Sequence, residues 1–212
     1  MTHTADHNGT QQAKEKIRQM RTLPLPLRWI PGAVTVALLL MTLDYLFNLG
    51  YLTFITGLET QFYYAVVALL LPLIYLLWPL TPAGQYRPIP WYDYLLSAVT
   101  LVVSGYFVIN AASILERGWA FAAPDTALWV SYAWWLLIIE AARRAGGWPI
   151  ALIVTLFSLY TLVADVMPGP IQAFPSSLSE TAMYHTMSTE SIMGIPLQAF
   201  AGLVIARILH QA

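Results

Sequence analysis

The chain has 212 residues, of which 58% are hydrophobic and 10% are charged, and its formal net charge is −1. Ordinary soluble domains carry about 25% charged residues, so the composition excludes a water-soluble globular protein. The absence of cysteine excludes disulfides, thiolate metal sites and iron–sulfur clusters. No basic stripe is present, which argues against nucleic acid as a partner. We also expect no cofactor in this chain.

Three long windows contain no charged residue: 60–86, 94–115 and 145–164. A helix rises about 1.5 Å per residue and the hydrocarbon core of a bilayer is about 30 Å thick, so windows of this length can span it. The sequence therefore predicts an all-α, polytopic transmembrane protein with about six membrane helices, in contact with membrane lipid.

A polar leader, residues 1–28, precedes the first apolar run. It is too long and too polar for a signal peptide, which predicts a retained first span over 29–51 and a cytoplasmic leader. The second span is predicted over 62–78 and is followed by a proline-rich turn. The third, over 91–115, opens with an aromatic cluster that begins at Trp91 and is expected at headgroup depth.

A fourth span is predicted over 124–144, because proline is well tolerated at a helix start. The glycine pair at 146–147 then breaks the chain, and a fifth span follows over 148–166. Residues 171–190 are mixed in character and indicate a short amphipathic helix at the surface. A sixth span is predicted over 191–209.

The distribution of Lys and Arg predicts the orientation. Nine lie on the side of the leader and one, Arg117, lies on the other side, which indicates a bacterial inner membrane protein with a cytoplasmic N-terminus. The nine are Lys14, Lys16, Arg18, Arg21, Arg28, Arg87, Arg143, Arg144 and Arg207.

Asp44 is the one carboxylate well inside an apolar run. Intramembrane acids are costly and often mark ion paths. A proton relay would need a second buried ionisable residue, and none is apparent nearby. We therefore favour a carboxylate that reaches interfacial water or a donor on a neighbouring helix.

Glu140 precedes Arg143 and Arg144 by three and four residues, which places the acid and at least one guanidinium on one helix face. This pattern favours a salt bridge and a positive anchor at the membrane end, and a contact point for another subunit is the alternative. Trp134 and Trp135 fall well inside the fourth helix, unlike most of the tryptophans, and indicate a face that packs on protein.

The sequence contains no phosphate-binding glycine loop, metal-binding histidine pair or nucleophile elbow, so an enzyme is not supported. The residues alone indicate a multi-span membrane subunit that acts as a scaffold or partner in a larger assembly. Two other functions stay open: the membrane anchor subunit of a redox complex, and a self-contained small transporter that acts as a dimer.

Short motifs follow one another in the carboxyl-terminal half. They are Ile139-Glu140-Ala141-Ala142-Arg143-Arg144, Trp148-Pro149-Ile150, Leu159-Tyr160, Met167-Pro168-Gly169, His185, and Thr189-Glu190-Ser191-Ile192-Met193-Gly194-Ile195-Pro196-Leu197, preceded by Asp93-Tyr94-Leu95-Leu96. The set, over roughly residues 85–200, resembles the membrane component of TRAP (tripartite ATP-independent periplasmic) transporters. The TAXI branch, whose small and large membrane parts are often fused, has the most similar pattern.

This resemblance implies a secondary transporter in which a periplasmic binding protein delivers an organic anion to a membrane pair, with uptake commonly driven by sodium. A chain of this length corresponds to the small membrane subunit, whose obligate partner is a large permease subunit. The substrate and Na⁺ sites then belong to the large subunit, and the small subunit is a scaffold.

The chain departs from a typical small subunit, which has four spans. By resemblance it divides into the leader (1–28), a four-helix small-subunit domain (29–145), and segments similar to the start of the fused family's large part (146–212). The last region would place four residues near the transport domain, since broken helix starts line transporter sites. These four are His185, Glu190, Gly194 and Pro196.

Overall fold

The computed structural model describes residues 20–81, 84 and 88–191 of the chain, and within them it contains helices and no β-strand. The all-α prediction is therefore confirmed for this part. The helices are α1 (Ile30–Phe47), α2 (Thr53–Thr56), α3 (Glu59–Leu77), α4 (Trp91–Glu116), α5 (Asp125–Leu159) and α6 (Leu178–Met187).

Four segments are long and apolar enough to cross a membrane: Leu25–Phe47, Glu59–Leu77, Trp91–Glu116 and Asp125–Leu162. The first three correspond to the first three predicted spans. The structure is thus compatible with a multi-pass membrane protein, but the predicted number of six spans is not confirmed. The predicted fourth span and the first part of the predicted fifth fall in α5, and the predicted sixth lies, after residue 191, outside the described residues.

The interior is built mainly by α3, α4 and the first part of α5, and the α3–α4 contact is the most extensive in the bundle. Three aromatic rings meet at its centre. The Phe107 ring stacks on Trp134 with centroids 4.4 Å apart and on Tyr64 at 5.4 Å. Such pairs contribute beyond their buried area, and they fix the relative rotation of three helices.

Two buried polar side chains are paired across helix interfaces, which lowers the cost of their burial. The Tyr75 hydroxyl donates to the Leu137 carbonyl at 2.6 Å, and Trp134 Nε1 donates to Ser104 Oγ at 2.9 Å. Each bond joins two different helices. The bundle is therefore held by hydrogen bonds across helix interfaces as well as by close packing.

α1 lies at the edge of the bundle, and only Met41 and Asp44 of this helix are buried. Its ring contact with α3 is the stack of Tyr45 on Phe62, with centroids 4.2 Å apart. The helix ends at Asn48, which adopts a left-handed conformation with φ 48°. Asparagine tolerates this conformation better than most residues and so allows the chain to turn towards α2 and α3.

α5 is made of two arms that meet at Gly147. This residue has φ 81° and ψ 176°, a region that is essentially reserved for glycine. Leu136 and Thr155 line one cavity, although a straight helix would separate them by about 28 Å. The second arm therefore folds back along the first, and Pro149, which has no amide hydrogen, stands in its first turn.

The reversal at Gly147 explains why two predicted spans meet within one helix, α5. The glycine pair was expected to break the chain, and the backbone does turn there. The second arm is helical only to Leu159 and continues as a short 3-10 turn, Tyr160–Leu162. At about 1.5 Å per residue it is shorter than a hydrocarbon core, so it is not counted as a separate span.

α6 was predicted as an amphipathic helix at the surface, and the structure gives it a more buried place. One face, which includes Ala182 and Met183, packs into the bundle against α5. The Tyr64 hydroxyl donates to the Thr186 carbonyl at 2.9 Å, and Thr186 Oγ1 donates to Ser131 Oγ at 2.9 Å. α6 is thereby attached to both α3 and α5.

A capping box starts α6. Ser177 Oγ accepts a hydrogen bond from the Glu180 amide at 3.2 Å, and Glu180 Oε2 accepts one from the Ser177 amide at 2.7 Å. The backbone hydrogen bond from Ser177 lowers the pKa of Glu180. The capping box therefore stabilises α6 above the ordinary glutamate pKa, and this contribution is lost as the pH falls through the lowered pKa.

Replacing Gly147 tests the reversal. Gly147→Ala should lower the free energy of unfolding by about 1–3 kcal/mol, because alanine is strained at this φ and ψ. The measurement is the unfolding midpoint of the full chain in detergent. Gly105→Ala is the control, because a Cβ there meets no atom within 4 Å and alanine favours a helix interior. Equal midpoints for the two variants would contradict the assignment.

Candidate functional site

Five charged side chains form a connected group at the end of the bundle where α3 ends and α4 begins. We call this group the ion network, and its members are Arg21, Asp93, Glu140, Arg143 and Arg144. It joins the segment before α1 to the first turn of α4 and to the end of the first arm of α5. It is the most charged feature within the described residues.

Asp93 is the centre of the ion network, and its side chain is 0% exposed. Its Oδ2 accepts a hydrogen bond from Arg21 Nη1 at 2.9 Å, and its Oδ1 accepts one from Arg144 Nη1 at 2.7 Å. The side chains of the two arginines are 2% and 1% exposed. Each carboxylate oxygen thus has its own guanidinium partner, as a charge removed from water requires.

Glu140 forms the outer half of the network. Its Oε1 accepts from Arg143 Nη2 at 2.7 Å and from Arg144 Nε at 2.8 Å, and its Oε2 accepts from Arg143 Nε at 2.7 Å. The side chains of Glu140 and Arg143 are 28% and 17% exposed. The prediction that the acid shares a helix face with a guanidinium is confirmed, and it holds for both arginines.

The two neighbouring arginines have different surroundings. Arg144 points inward, with its guanidinium carbon 5.0 Å from the centroid of the Tyr75 ring. Arg143 lies at the periphery, 5.3 Å from the centroid of the Trp148 ring. Cation–π contacts of this kind add to the ion pairs. Only Arg143 is placed where a molecule outside the bundle can reach it.

The leader was predicted to be a cytoplasmic segment, and the structure buries its Arg21 against the ends of the membrane helices. Its amide donates to the Leu77 carbonyl at 2.8 Å, and its Nε donates to the Gly84 carbonyl at 3.4 Å. The end of the leader is thus attached to the C-terminus of α3 and to the loop that follows. This is the part of the leader that the structure describes, from residue 20 onward.

Sequence reasoning did not identify Asp93 and Arg21 as site residues. Asp93 is the only charged residue between Arg87 and Glu116, and a lone acid at the start of an apolar helix requires a buried partner. That rule could have singled out Asp93, and Arg144 as a candidate partner. It could not have selected Arg21 from the five basic residues of the leader.

Asp44 is 4% exposed and its carboxylate is held by the turn that follows its own helix. The amides of Tyr51 and Leu52 donate to it at 2.8 Å and 3.1 Å, and Thr56 Oγ1 donates at 2.9 Å. A donor on a neighbouring helix was expected, and Thr56 of α2 is one, while the other two donors lie in the turn before α2. Asp44 closes the turn between α1 and α3.

A polar cavity of about 540 Å³ lies beside Asp44, and exposed Glu59 also lines it. Glu59 Oε1 accepts a hydrogen bond from the Tyr63 hydroxyl at 3.0 Å. A second acidic residue is therefore near Asp44, but it is exposed and is not the buried partner that a proton relay would need. Within the described residues, no cluster of three or more acidic, histidine or cysteine side chains could hold a metal ion.

Trp134 and Trp135 both pack on protein. Trp134 is fully buried in the aromatic centre, and Trp135 is 8% exposed with its ring 5.6 Å from that of His185. The surfaces that cover them belong to this chain. Their assignment to an interface with another subunit stays a prediction.

His185 lies in α6 and Glu190 follows this helix. Both are towards the end of the bundle opposite the ion network. His185 Nε2 donates to the Ser158 carbonyl at 2.9 Å and so ties α6 to the second arm of α5. Glu190 is exposed, and its amide donates to Ser188 Oγ at 3.2 Å. Gly194 and Pro196, the other two residues predicted near a transport domain, lie outside the described residues.

No family model matches this chain, and no curated protein or solved structure is significantly similar to it. The geometry of the site therefore carries the functional argument alone. That geometry is a set of mutually neutralised charges at one end of an apolar bundle. Such an arrangement can hold helix ends together and present one arginine at the membrane surface.

Asp93 is the residue whose loss should affect the fold most. Asp93→Asn leaves the buried Arg21 without its counter-charge and Arg144 with Glu140 alone, and it should cost about 3–5 kcal/mol of stability. Asp125→Asn, an exposed position at the start of α5, is the control and should cost less than about 1 kcal/mol. Thermal unfolding of both variants in detergent measures the difference. A loss for Asp93→Asn no larger than that of the control would contradict a central role for Asp93.

Proposed function

We propose that this chain is the small, non-catalytic membrane subunit of a secondary-active TRAP transporter of the TAXI type. In this proposal it binds a large permease subunit and works with a periplasmic binding protein to import an organic anion, with sodium as the coupling ion. It lies in a bacterial inner membrane with its N-terminus in the cytoplasm. The sequence motifs described above supply the family, and the structure supplies the physical support below.

The observation that carries the scaffold role is the neutralisation of the buried charges. Asp93 is shared by two arginines, Glu140 is shared by two, and Asp44 accepts three hydrogen bonds from α2 and the turn before it. A transport path needs ionisable or polar groups that bind and release a solute. In the described part of the chain these groups are committed to holding helices and turns together.

The apolar surface of the second arm of α5 is an argument for a partner subunit in the membrane. Apolar side chains point outward around most of this arm, while only Ala151 and Ser158 of its residues are buried. The exposed ones are Trp148, Ile150, Leu152, Ile153, Leu156, Phe157 and Leu159. In a membrane such a surface is covered by lipid or by another hydrophobic subunit.

Reconstitution tests whether transport requires the large permease subunit in addition to this chain. Proteoliposomes that contain this chain alone should show no uptake of an organic anion. Proteoliposomes that also contain a large TRAP permease subunit of the TAXI type, with a periplasmic binding protein outside, should take up the anion only under an inward sodium gradient. Uptake by the chain alone would contradict the scaffold role and favour a self-contained dimeric transporter. Visible absorbance of the purified chain beyond that of Trp and Tyr would favour a redox anchor.

Single-cysteine labelling tests the orientation, because the chain has no cysteine of its own. Phe121→Cys, in the loop between α4 and α5, should react with a membrane-impermeant maleimide in intact spheroplasts. Leu80→Cys, in the loop after α3, should react only after the membrane is opened. Both positions are exposed, so they are a matched pair. The opposite pattern would place the N-terminus outside.

A further inference from the structure

A groove runs between the two arms of α5. Its volume is about 420 Å³, and the eight residues that line it all belong to α5. Leu136 and Ile139 form one wall, and Ala151, Leu152 and Thr155 form the other. Leu136 and Leu152 are 65% and 60% exposed, so the groove opens to the surroundings of the bundle.

The end of this groove nearest the reversal is cationic and aromatic. Arg143 and Trp148 stand on either side of Gly147, with the guanidinium carbon of Arg143 5.3 Å from the centroid of the Trp148 ring. Arg143 contacts Glu140 through Nε and Nη2, which directs the Nη1 side of the guanidinium away from that carboxylate. Tryptophan and arginine at a helix end are typical of headgroup depth.

The charge of this end favours an anion. The ion network contains three arginines and two carboxylates, which leaves a formal excess of one positive charge. Arg21 and Arg144 are buried beside Asp93, so Arg143 is the arginine of the network that an outside ligand can contact. Arginine is well suited to phosphate because its planar donors match phosphate oxygens.

The shape of the groove favours a slender apolar chain. A helix is about 10 Å across, so a volume of 420 Å³ holds only about one turn of it. The groove is therefore too small to bind a helical protein segment. A free anion would use the cationic end and leave the apolar walls uncovered. A molecule with an anionic phosphate and a hydrocarbon chain uses both parts, and basic pockets between membrane helices are known to suit such headgroups.

We propose that the groove between the two arms of α5 is a binding site for an anionic phospholipid. The phosphate contacts Arg143 beside Trp148, and one acyl chain lies along Leu136, Leu152 and Thr155. The site does not depend on the transport function proposed above, because it is built from α5 alone. In this proposal a bound lipid lies beside the reversal at Gly147 and contacts both arms of α5.

The test is native mass spectrometry of the purified full chain with added phosphatidylglycerol or phosphatidylcholine. Arg143→Gln should weaken phosphatidylglycerol binding about fivefold, since one cation is lost, and should weaken phosphatidylcholine binding less, because the choline cation of that lipid offsets its phosphate charge. Arg143→Lys should retain most of the preference. Thr155→Phe, which fills the groove, should weaken binding of both lipids. Glycerol 3-phosphate, a headgroup without chains, should not compete.

Two control variants make the same kinds of change, loss of an arginine and enlargement of a side chain, at positions outside the groove. Arg117→Gln removes an exposed arginine after α4, and Ile109→Phe enlarges a side chain that is 81% exposed on α4. Both should bind lipid as the parent chain does, and gel filtration checks that every variant is folded. Unchanged phosphatidylglycerol binding in folded Arg143→Gln, or unchanged binding in folded Thr155→Phe, would overturn the proposal. So would competition by glycerol 3-phosphate, or a photocrosslinker at Leu152 that captures a polypeptide from native membranes instead of lipid.

Discussion

Asp93 is a carboxylate without access to water, and the position of four segments depends on how its charge is balanced. It sits in the first turn of α4 and binds Arg21 from the leader and Arg144 from α5. Arg21 in turn bonds the end of α3 through the Leu77 carbonyl. A buried charge that loses one partner is far more costly than a surface ion pair, so none of these segments can move away alone.

The composition and the spacing of charges were sufficient to predict the helical class and the first three long helices. Hydrophobic runs of more than 18 residues have few alternatives in a membrane, so their existence is well determined by sequence. The glycine pair also located the turn within α5. What the sequence could not supply was the direction of the chain after the turn, because φ and ψ at Gly147 are set by the packing of the two arms.

The candidate site was only partly predictable, and the reason differs from residue to residue. Glu140 and its arginines are close in sequence, so helix periodicity alone brought them together. Asp93 and Arg21 are separated by 72 positions, and their meeting depends on the tertiary fold. Asp44 was expected to meet a donor on another helix, and besides Thr56 of α2 two amides of the turn after its own helix hold it. Short-range patterns therefore identified the charged groups but not their partners.

The burial of α6 has a consequence for how the protein is made. Tyr64, near the start of α3, donates its hydroxyl hydrogen bond to the carbonyl of Thr186, more than a hundred residues later. During synthesis this hydroxyl emerges long before its acceptor does. Until α6 leaves the ribosome, neither this hydroxyl nor Ser131 Oγ can make its contact with Thr186. Assembly of the bundle is thus completed from its C-terminal side, and a chain shortened before residue 187 would leave that interior open.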